Sequence, residues 1–298
     1  MNGLALAGLD PWSIGRVLSL AGFYGSALLA MGGVLFRFAF PSLPPRETTM
    51  LQRSILIAAW TAIGMLLLLW VLQAAYLGGG NWAAARNPVL LGIVGDGAQG
   101  DRLRLALVGL LLLQANLLEG QFQRLRHGLS AAGIVLVLLA FAQVGHTRGA
   151  PWQSALLMLH LSLAAFWAAA LMPLYRLARS GSPADSAQLL RRFGSLGLLL
   201  VPLLLIAGGT LAMWLLGGRP AALIDTPYGQ LLSVKLALVA LLLALGAINR
   251  WWLVPAVAQE EPKAASWLSR SIALEAGLMV LIVLTASLLL TTSSPSGA

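Results

Sequence analysis

Long apolar runs dominate this sequence and limit what it can fold into. One of them, 196–206, holds eleven residues without a charged or hydrogen-bonding side chain. A helix needs about 20 such residues to cross the ~30 Å hydrocarbon core of a bilayer, where only helices and closed barrels satisfy their backbone. Barrel strands alternate apolar and polar residues over about ten positions, and these runs do not. The sequence therefore predicts an all-α polytopic membrane protein.

The apolar runs define about eight transmembrane helices, separated by connectors rich in Pro, Gly and charge. The predicted spans are 12–37, 53–77, 102–119, 127–146, 152–175, 191–216, 229–253 and 269–291. The connector 78–101 is long enough to hold a short interfacial helix. The first run is too long, and too poor in preceding basic residues, for a cleaved signal peptide, so we expect it to be retained.

Basic residues predict the orientation in the membrane. Only 10% of the residues are charged, yet the formal net charge is +9. Membrane proteins concentrate such an excess in cytoplasmic loops, so no nucleic-acid partner is expected. The loops after helices one, three, five and seven hold twelve basic residues: Arg37, Arg46, Arg53, Arg124, Arg126, Arg176, Arg179, Arg191, Arg192, Arg250, Lys263 and Arg270. The opposite side holds five: Arg86, Arg102, Arg104, Arg148 and Arg219. Both termini are therefore predicted to lie outside the cytoplasm.

The chain also repeats itself. Four short matches occur in the same order at offsets between 131 and 144 residues: 18–24 with 161–167, 51–53 with 190–192, 104–108 with 235–239, and Arg126 with Arg270. Four helices return the chain to its starting side, so the two copies are parallel. The sequence thus predicts a 4+4 repeat, with domains at 1–146 and 147–298.

Two histidines break this repeat and are the first candidates for chemistry. His160 stands where the first copy has Val17, and His146 stands where the second copy has Leu290. Both flank a short outer connector, and ionisable groups inside a membrane are costly enough to suggest function. Imidazole suits Cu, Zn, Fe and Ni, so the pair predicts a metal site on the outer side. A histidine that only hydrogen-bonds across helices is the structural alternative.

Three more residues bear on this site. Gln143 precedes His146 by three residues on the same helical face and could orient it. Met213, near the outer end of helix six, could join the site only if that helix packs alongside. His127, beside Arg126, is expected to be a solvated interfacial residue. The chain has no Cys, which removes thiolate sites and Cys nucleophiles, and we expect no enzymatic activity.

The remaining intramembrane charges are Lys235 and Glu275. Lys235 lies near the outer end of helix seven and could extend to the surface. Glu275 lies near the inner end of helix eight, at the depth of Asn249 and Arg250 on the neighbouring helix. A structural contact between Glu275 and Asn249 or Arg250 is one interpretation, and a proton or ion relay is the other.

Several of these residues resemble a known family. The segments Tyr228–Lys235, Asn249–Arg250 and Leu268–Glu275, with the Gly145-His146 helix end and His160–Leu171, resemble the copper-resistance D (CopD/PcoD) membrane proteins. The likeness is most specific at about 188–291. It implies a multi-pass protein of the bacterial inner membrane, with periplasmic termini, that admits copper through a periplasm-facing histidine site. It also suggests a periplasmic copper-binding protein as a partner, besides the lipid bilayer.

Two other functions remain open at this stage. A membrane cytochrome b would bind haem, which needs ligands on opposite faces of the ring, and only His146 and His160 are available for it. A copper-handling partner that delivers the ion without transporting it is the second alternative.

Overall fold

The structure is a computed structural model that describes residues 10–118, 123–145, 150–180 and 183–291, with side chains for all of these except 180 and 183–187. In this part of the chain the regular elements are helices. They are α1 (Pro11–Ala39), α2 (Pro45–Leu77), α3 (Trp82–Ala85), α4 (Pro88–Asp96), α5 (Ala98–Leu113), α6 (Gln123–Ala142), α7 (Pro151–Ser180), α8 (Pro183–Leu215), α9 (Ala222–Asp225), α10 (Pro227–Ile248), α11 (Val254–Ala258) and α12 (Ala264–Leu289). A 3₁₀ turn, Gln114–Leu117, follows α5, and a π-helical turn, Asn249–Leu253, joins α10 to α11.

Local sequence fixes several helix starts. Proline occupies the first position of α1, α2, α4 and α10, where its missing N–H has no intrahelical partner to lose. Asp10 caps α1 by accepting hydrogen bonds from the amides of Trp12 and Ser13 at 2.9 and 3.2 Å. The Ser13 hydroxyl and these amides hold the pKa of Asp10 below its ordinary value. Asn87 and Thr226 cap α4 and α10 in the same way.

Seven of the described helices are long and apolar enough to cross a membrane: α1, α2, α6, α7, α8, α12 and the continuous helix formed by α10 and α11. The all-α polytopic class is confirmed. The predicted third span corresponds to α5 and its 3₁₀ turn, and α5 alone is shorter than expected. The connector before it holds two short helices, α3 and α4, where one was expected.

Contacts at its two ends show that α5 nevertheless traverses the bundle. It begins next to α4, whose Leu91 carbonyl accepts a 3.1 Å hydrogen bond from Trp70 Nε1 near the end of α2. It ends near Asn116, whose carbonyl accepts a 2.8 Å hydrogen bond from Arg37 Nη1 at the end of α1. Because α1 and α2 run in opposite directions, these are opposite ends of the bundle.

Helix α1 occupies the centre and packs against α2, α7 and α12. Gly32 lets α1 and α7 approach closely, since a Cβ there would overlap the Ala165 carbonyl. α1 and α7 are also the first helices of the two predicted repeats; the repeat itself stays a prediction. By contrast, α8 and α10 lie at the periphery, and few of their residues are buried.

Candidate functional site

His160 lies on α7 and packs against α8. It is nine residues beyond the first residue of α7, or about 13 Å along the axis at 1.5 Å per residue. Its Nδ1 is 3.2 Å from the Leu204 carbonyl oxygen. One turn further along α8, Gly208 leaves room for the ring, because a Cβ there would lie 2.7 Å from His160 Cε1.

This hydrogen bond defines what the imidazole can do. A carbonyl oxygen only accepts, so Nδ1 of His160 carries the proton and Nε2 keeps a free lone pair. A hydrogen bond of this kind also fixes the ring orientation of metal-binding histidines. His160 is therefore set up to offer one nitrogen ligand. Among the described residues, no group of three His, Asp or Glu side chains is close enough to hold a metal ion.

The other predicted members of the site are His146, Gln143 and Met213. His146 lies outside the described residues. Gln143 donates to the Leu139 carbonyl of its own helix at 3.4 Å. Met213 is on α8 and 40% exposed. It follows Gly208 by five residues, which turns it about 140° away from the face that meets His160. The condition that α8 packs alongside His160 is met, and the membership of Met213 in the site stays a prediction.

Lys235 and His127 differ in their burial and in their neighbours. Lys235 on α10 is half-buried and close enough to His160 to act on it electrostatically. His127 is exposed, 3.2 Å from Arg126 Nη2 through its Nε2, and edge-on to the Phe38 ring. His127 thus has the environment expected of a solvated residue.

A second polar cluster lies deeper along the bundle, around Glu275. This side chain is 4% exposed. Asn249 Nδ2 donates a short hydrogen bond to Glu275 Oε1, and Trp167 Nε1 donates to Oε2 at 3.2 Å. The predicted contact with Asn249 is present. Sequence reasoning missed Trp167 as a partner of Glu275, although the match of 161–167 to 18–24 pairs this half-buried residue with Tyr24, a buried aromatic residue.

Arg250 does not take the predicted place beside Glu275. Its guanidinium lies against Gly194 of α8, where a Cβ would be 2.7 Å from Nη1. The π-helical turn Asn249–Leu253 separates the two neighbours, so that Asn249 meets α12 while Arg250 meets α8. Such turns insert a residue into a helix and often occur at functional sites.

Arg102 is buried, which the sequence did not predict. The charge pattern places it on the outer side, at the first residue of the third predicted span, and that side stays a prediction. In the structure Arg102 lies in the second turn of α5, is only 2% exposed, and sits over the Phe23 ring at 5.6 Å.

A cavity of about 400 Å³ connects the regions around His160 and Glu275. It lies between α7, α8, α10 and α12. At one end it is lined by Leu163 and Leu204, which neighbour His160, and at the other by Glu275, Asn249 and Arg250. Nearly all the other lining side chains are apolar or aromatic. The cavity therefore has one polar end and an apolar body.

Comparison with known proteins gives a match that runs from α8 to α12, the helices that form much of this cavity. Residues 187–289 match the family described as copper resistance protein D. This region is thus similar to the copper resistance protein D family. It contains most of α8 and all of α9 to α12, and so the α8 face that meets His160 as well as Asn249, Arg250 and Glu275. The resemblance noted in the sequence is confirmed for this region.

A related protein gives a second comparison. The chain is 33% identical over 136 residues to the inner membrane protein YebZ of Escherichia coli (strain K12). The match covers 45% of this chain and 46% of the relative, so the chain spans about half the length of the curated relative it matches. No solved structure matches the chain. Together with the seven candidate spans, these findings support a copper-related, multi-pass protein of the inner membrane.

Proposed function

We propose that this protein carries copper across the bacterial inner membrane, from the periplasm to the cytoplasm, and that His160 and His146 take up the ion on the periplasmic side. The observation that carries the proposal is the match of 187–289 to the copper resistance protein D family. The matched region begins in the second turn of α8 and includes Leu204, whose carbonyl is hydrogen-bonded to His160.

The geometry of His160 supports a ligand role. Its Nε2 lone pair is free, its ring is oriented by a backbone carbonyl, and neutral imidazole binds copper ions. One nitrogen does not make a metal site, and His146, across the short connector from α7, supplies the second ligand in this proposal. An inside-negative potential would assist inward movement of a cation by about 2.3 kcal/mol per charge per 100 mV.

The test is copper uptake into proteoliposomes containing His160→Val or His146→Leu variants. Each replacement installs the residue found at the matching place in the other predicted repeat, and both are apolar, so membrane insertion should not suffer. We expect each single variant to purify like the wild type but to bind copper weakly and to lose uptake. The double variant should be little worse than either single one, because ligands of one ion act as a unit.

His127→Ala is the matched control, since His127 is exposed and lies on α6, which makes little contact with α8 over the described residues. It should transport as the wild type does. Normal copper uptake by a folded His160→Val, His146→Leu double variant would contradict the assignment of the histidine site and leave the family membership of 187–289 in place.

A further inference from the structure

The cavity between α7, α8, α10 and α12 opens sideways, towards the bilayer. α7 and α12 pack together and form its back wall, whereas α8 and α10 make little contact with each other over the described residues. Two lining residues at the sides, Leu198 of α8 and Trp251 of the π-helical turn, are 57% and 63% exposed. A molecule dissolved in the membrane could therefore enter between α8 and α10 without crossing the aqueous phase.

The polar end of the cavity has hydrogen-bonding groups that no protein group satisfies. Asn249 is 8% exposed, and its Oδ1 is buried without a partner in the described part of the protein. The same holds for Nε of Arg250. Unsatisfied buried polar atoms cost roughly 1–3 kcal/mol each, so these two point to a missing partner. That partner must donate to Asn249 and accept from Arg250.

The charges at this end favour an uncharged partner. Glu275 and Arg250 both line the cavity, and no ion pair joins them among the described residues. An anion would be attracted by Arg250 and repelled by Glu275. A cation would be attracted by Glu275 and repelled by Arg250. A neutral head group that both donates and accepts hydrogen bonds suits this arrangement better than either ion.

The rest of the lining indicates the shape of the partner. Aromatic rings of Phe166, Phe193 and Trp167 line the cavity, and the first two are stacked with centroids 5.9 Å apart. Such faces favour flat rings in offset contact. The volume of about 400 Å³ falls within the ~300–1,000 Å³ of small-molecule sites, which are mostly apolar with a few placed polar groups.

We propose that this cavity binds a quinol, which has a planar, uncharged head that donates and accepts hydrogen bonds and an apolar tail that can extend between α8 and α10. This inference goes beyond copper transport and does not depend on it. The head lies at Asn249 and Arg250, against the aromatic rings, and the tail leaves through the opening marked by Leu198.

The experiment uses the full chain in nanodiscs of synthetic phosphatidylcholine and phosphatidylglycerol that contain no quinone. The probe is the short-tailed quinol decylubiquinol, added without oxygen, and the amount retained above that in protein-free nanodiscs is measured. We expect saturable binding of about one molecule per protein, as a single pocket of this volume allows. Binding that rises only as it does in protein-free nanodiscs overturns the proposal.

Two glycines on α8 give a matched pair of variants. Gly197 lines the cavity, and Gly209 does not; a Cβ at either meets no atom within 4 Å. Gly197→Leu should fill the cavity and weaken binding by about tenfold or more, equivalent to roughly 1.4 kcal/mol. Gly209→Leu should bind like the wild type. Ala247→Leu, which fills the cavity from α10, repeats the test if Gly197→Leu does not fold. Equal binding by wild type and a folded, cavity-filling variant would overturn the proposal.

A last arm separates a quinol site from a lipid crevice. Decanol has a tail of the same length and a hydroxyl but no ring. It should compete poorly with decylubiquinol, because it cannot occupy the aromatic end of the cavity. Equal competition by decanol would show that the cavity accepts any single-chain amphiphile, and the quinol proposal would be wrong.

Discussion

Gly208 leaves room on α8 for the His160 ring beside its hydrogen bond to Leu204. Its Cα faces the imidazole, and a methyl group there would lie 2.7 Å from Cε1 and 2.9 Å from Nδ1. The ring can give way, because it ends a flexible side chain, but its hydrogen bond to Leu204 would then be lost. The orientation of His160, a candidate ligand, thus depends on Gly208, which has no side chain that could bind a metal ion.

Gly208→Ala should therefore impair copper uptake without removing a ligand. We expect uptake to fall by roughly tenfold or more, the range observed when groups that orient metal-binding histidines are changed. Stability should change little, since the gain of about 1 kcal/mol from Ala over Gly inside a helix is offset by the loss of the hydrogen bond to Leu204, a net contribution of about 1 kcal/mol. Gly209→Ala is the control, because a Cβ there meets nothing within 4 Å. Equal uptake by the two variants would mean that the α7–α8 contact plays no part in transport.

At this scale the sequence revealed the titratable groups and one partner, Asn249 for Glu275, but not the partner of His160. His160 and Glu275 stand out because a charged or imidazole group is rare in an apolar run. The partner of His160 is the Leu204 carbonyl, and a backbone carbonyl has no sequence signature. The face of α8 on which Met213 lies depends on the rotation of that helix about its own axis, which is set by packing and cannot be obtained from the spacing of residues alone.

At the scale of elements, the bond between Asn249 and Glu275 joins the π-helical turn to α12 inside the bundle. Glu275 also accepts from Trp167, so three elements meet at one carboxylate. Replacing Glu275 with Leu would leave two buried N–H donors without an acceptor, at roughly 1–3 kcal/mol each. Gln keeps one acceptor oxygen, and its amide can donate to the unpartnered Oδ1 of Asn249.

Glu275→Leu should accordingly lower the thermal stability of the purified protein, and Glu275→Gln should lower it much less. If the carboxylate only holds helices together, the Gln variant should also keep most of its copper uptake. Thermal unfolding and uptake measured on the same preparations test both statements. A stable Gln variant that has lost uptake would instead favour a relay of protons or ions through Glu275.

Element boundaries were less predictable than element positions. Each predicted span has a helical counterpart, but α2 begins at Pro45 rather than 53, and α12 at Ala264 rather than 269. Hydropathy marks the part of a helix that lies in the hydrocarbon, whereas the helix itself continues into the polar region until a proline or turn ends it. The π-helical turn Asn249–Leu253 lies within an otherwise regular apolar pattern, so nothing in that pattern predicts it.

At the scale of the whole molecule, polar contacts gather the loops after helices one, three and five at one end of the bundle. Arg37 at the end of α1 donates to the Asn116 carbonyl at the end of the α5 segment, at 2.8 Å. Arg176 Nε of α7 bonds Glu47 of α2 at 2.9 Å. Arg192 of α8 donates to the Ala39 carbonyl at 3.0 Å. Residues that the charge distribution assigns to one side of the membrane are thus neighbours in space.

This arrangement predicts which end faces the cytoplasm, since basic residues are retained there during insertion. Reporter fusions after Ser180 and after Lys263 should be active only as cytoplasmic reporters. Fusions after Gly80 or at the C-terminus should be active only as periplasmic ones. The pair of reporters, one active on each side, serves as its own control, because every fusion site should give one signal and not the other.

The inverted pattern would place the α7 segment around His160 on the cytoplasmic side. Copper would then meet His160 on leaving the membrane rather than on entering it, and the direction of transport proposed here would have to be reversed.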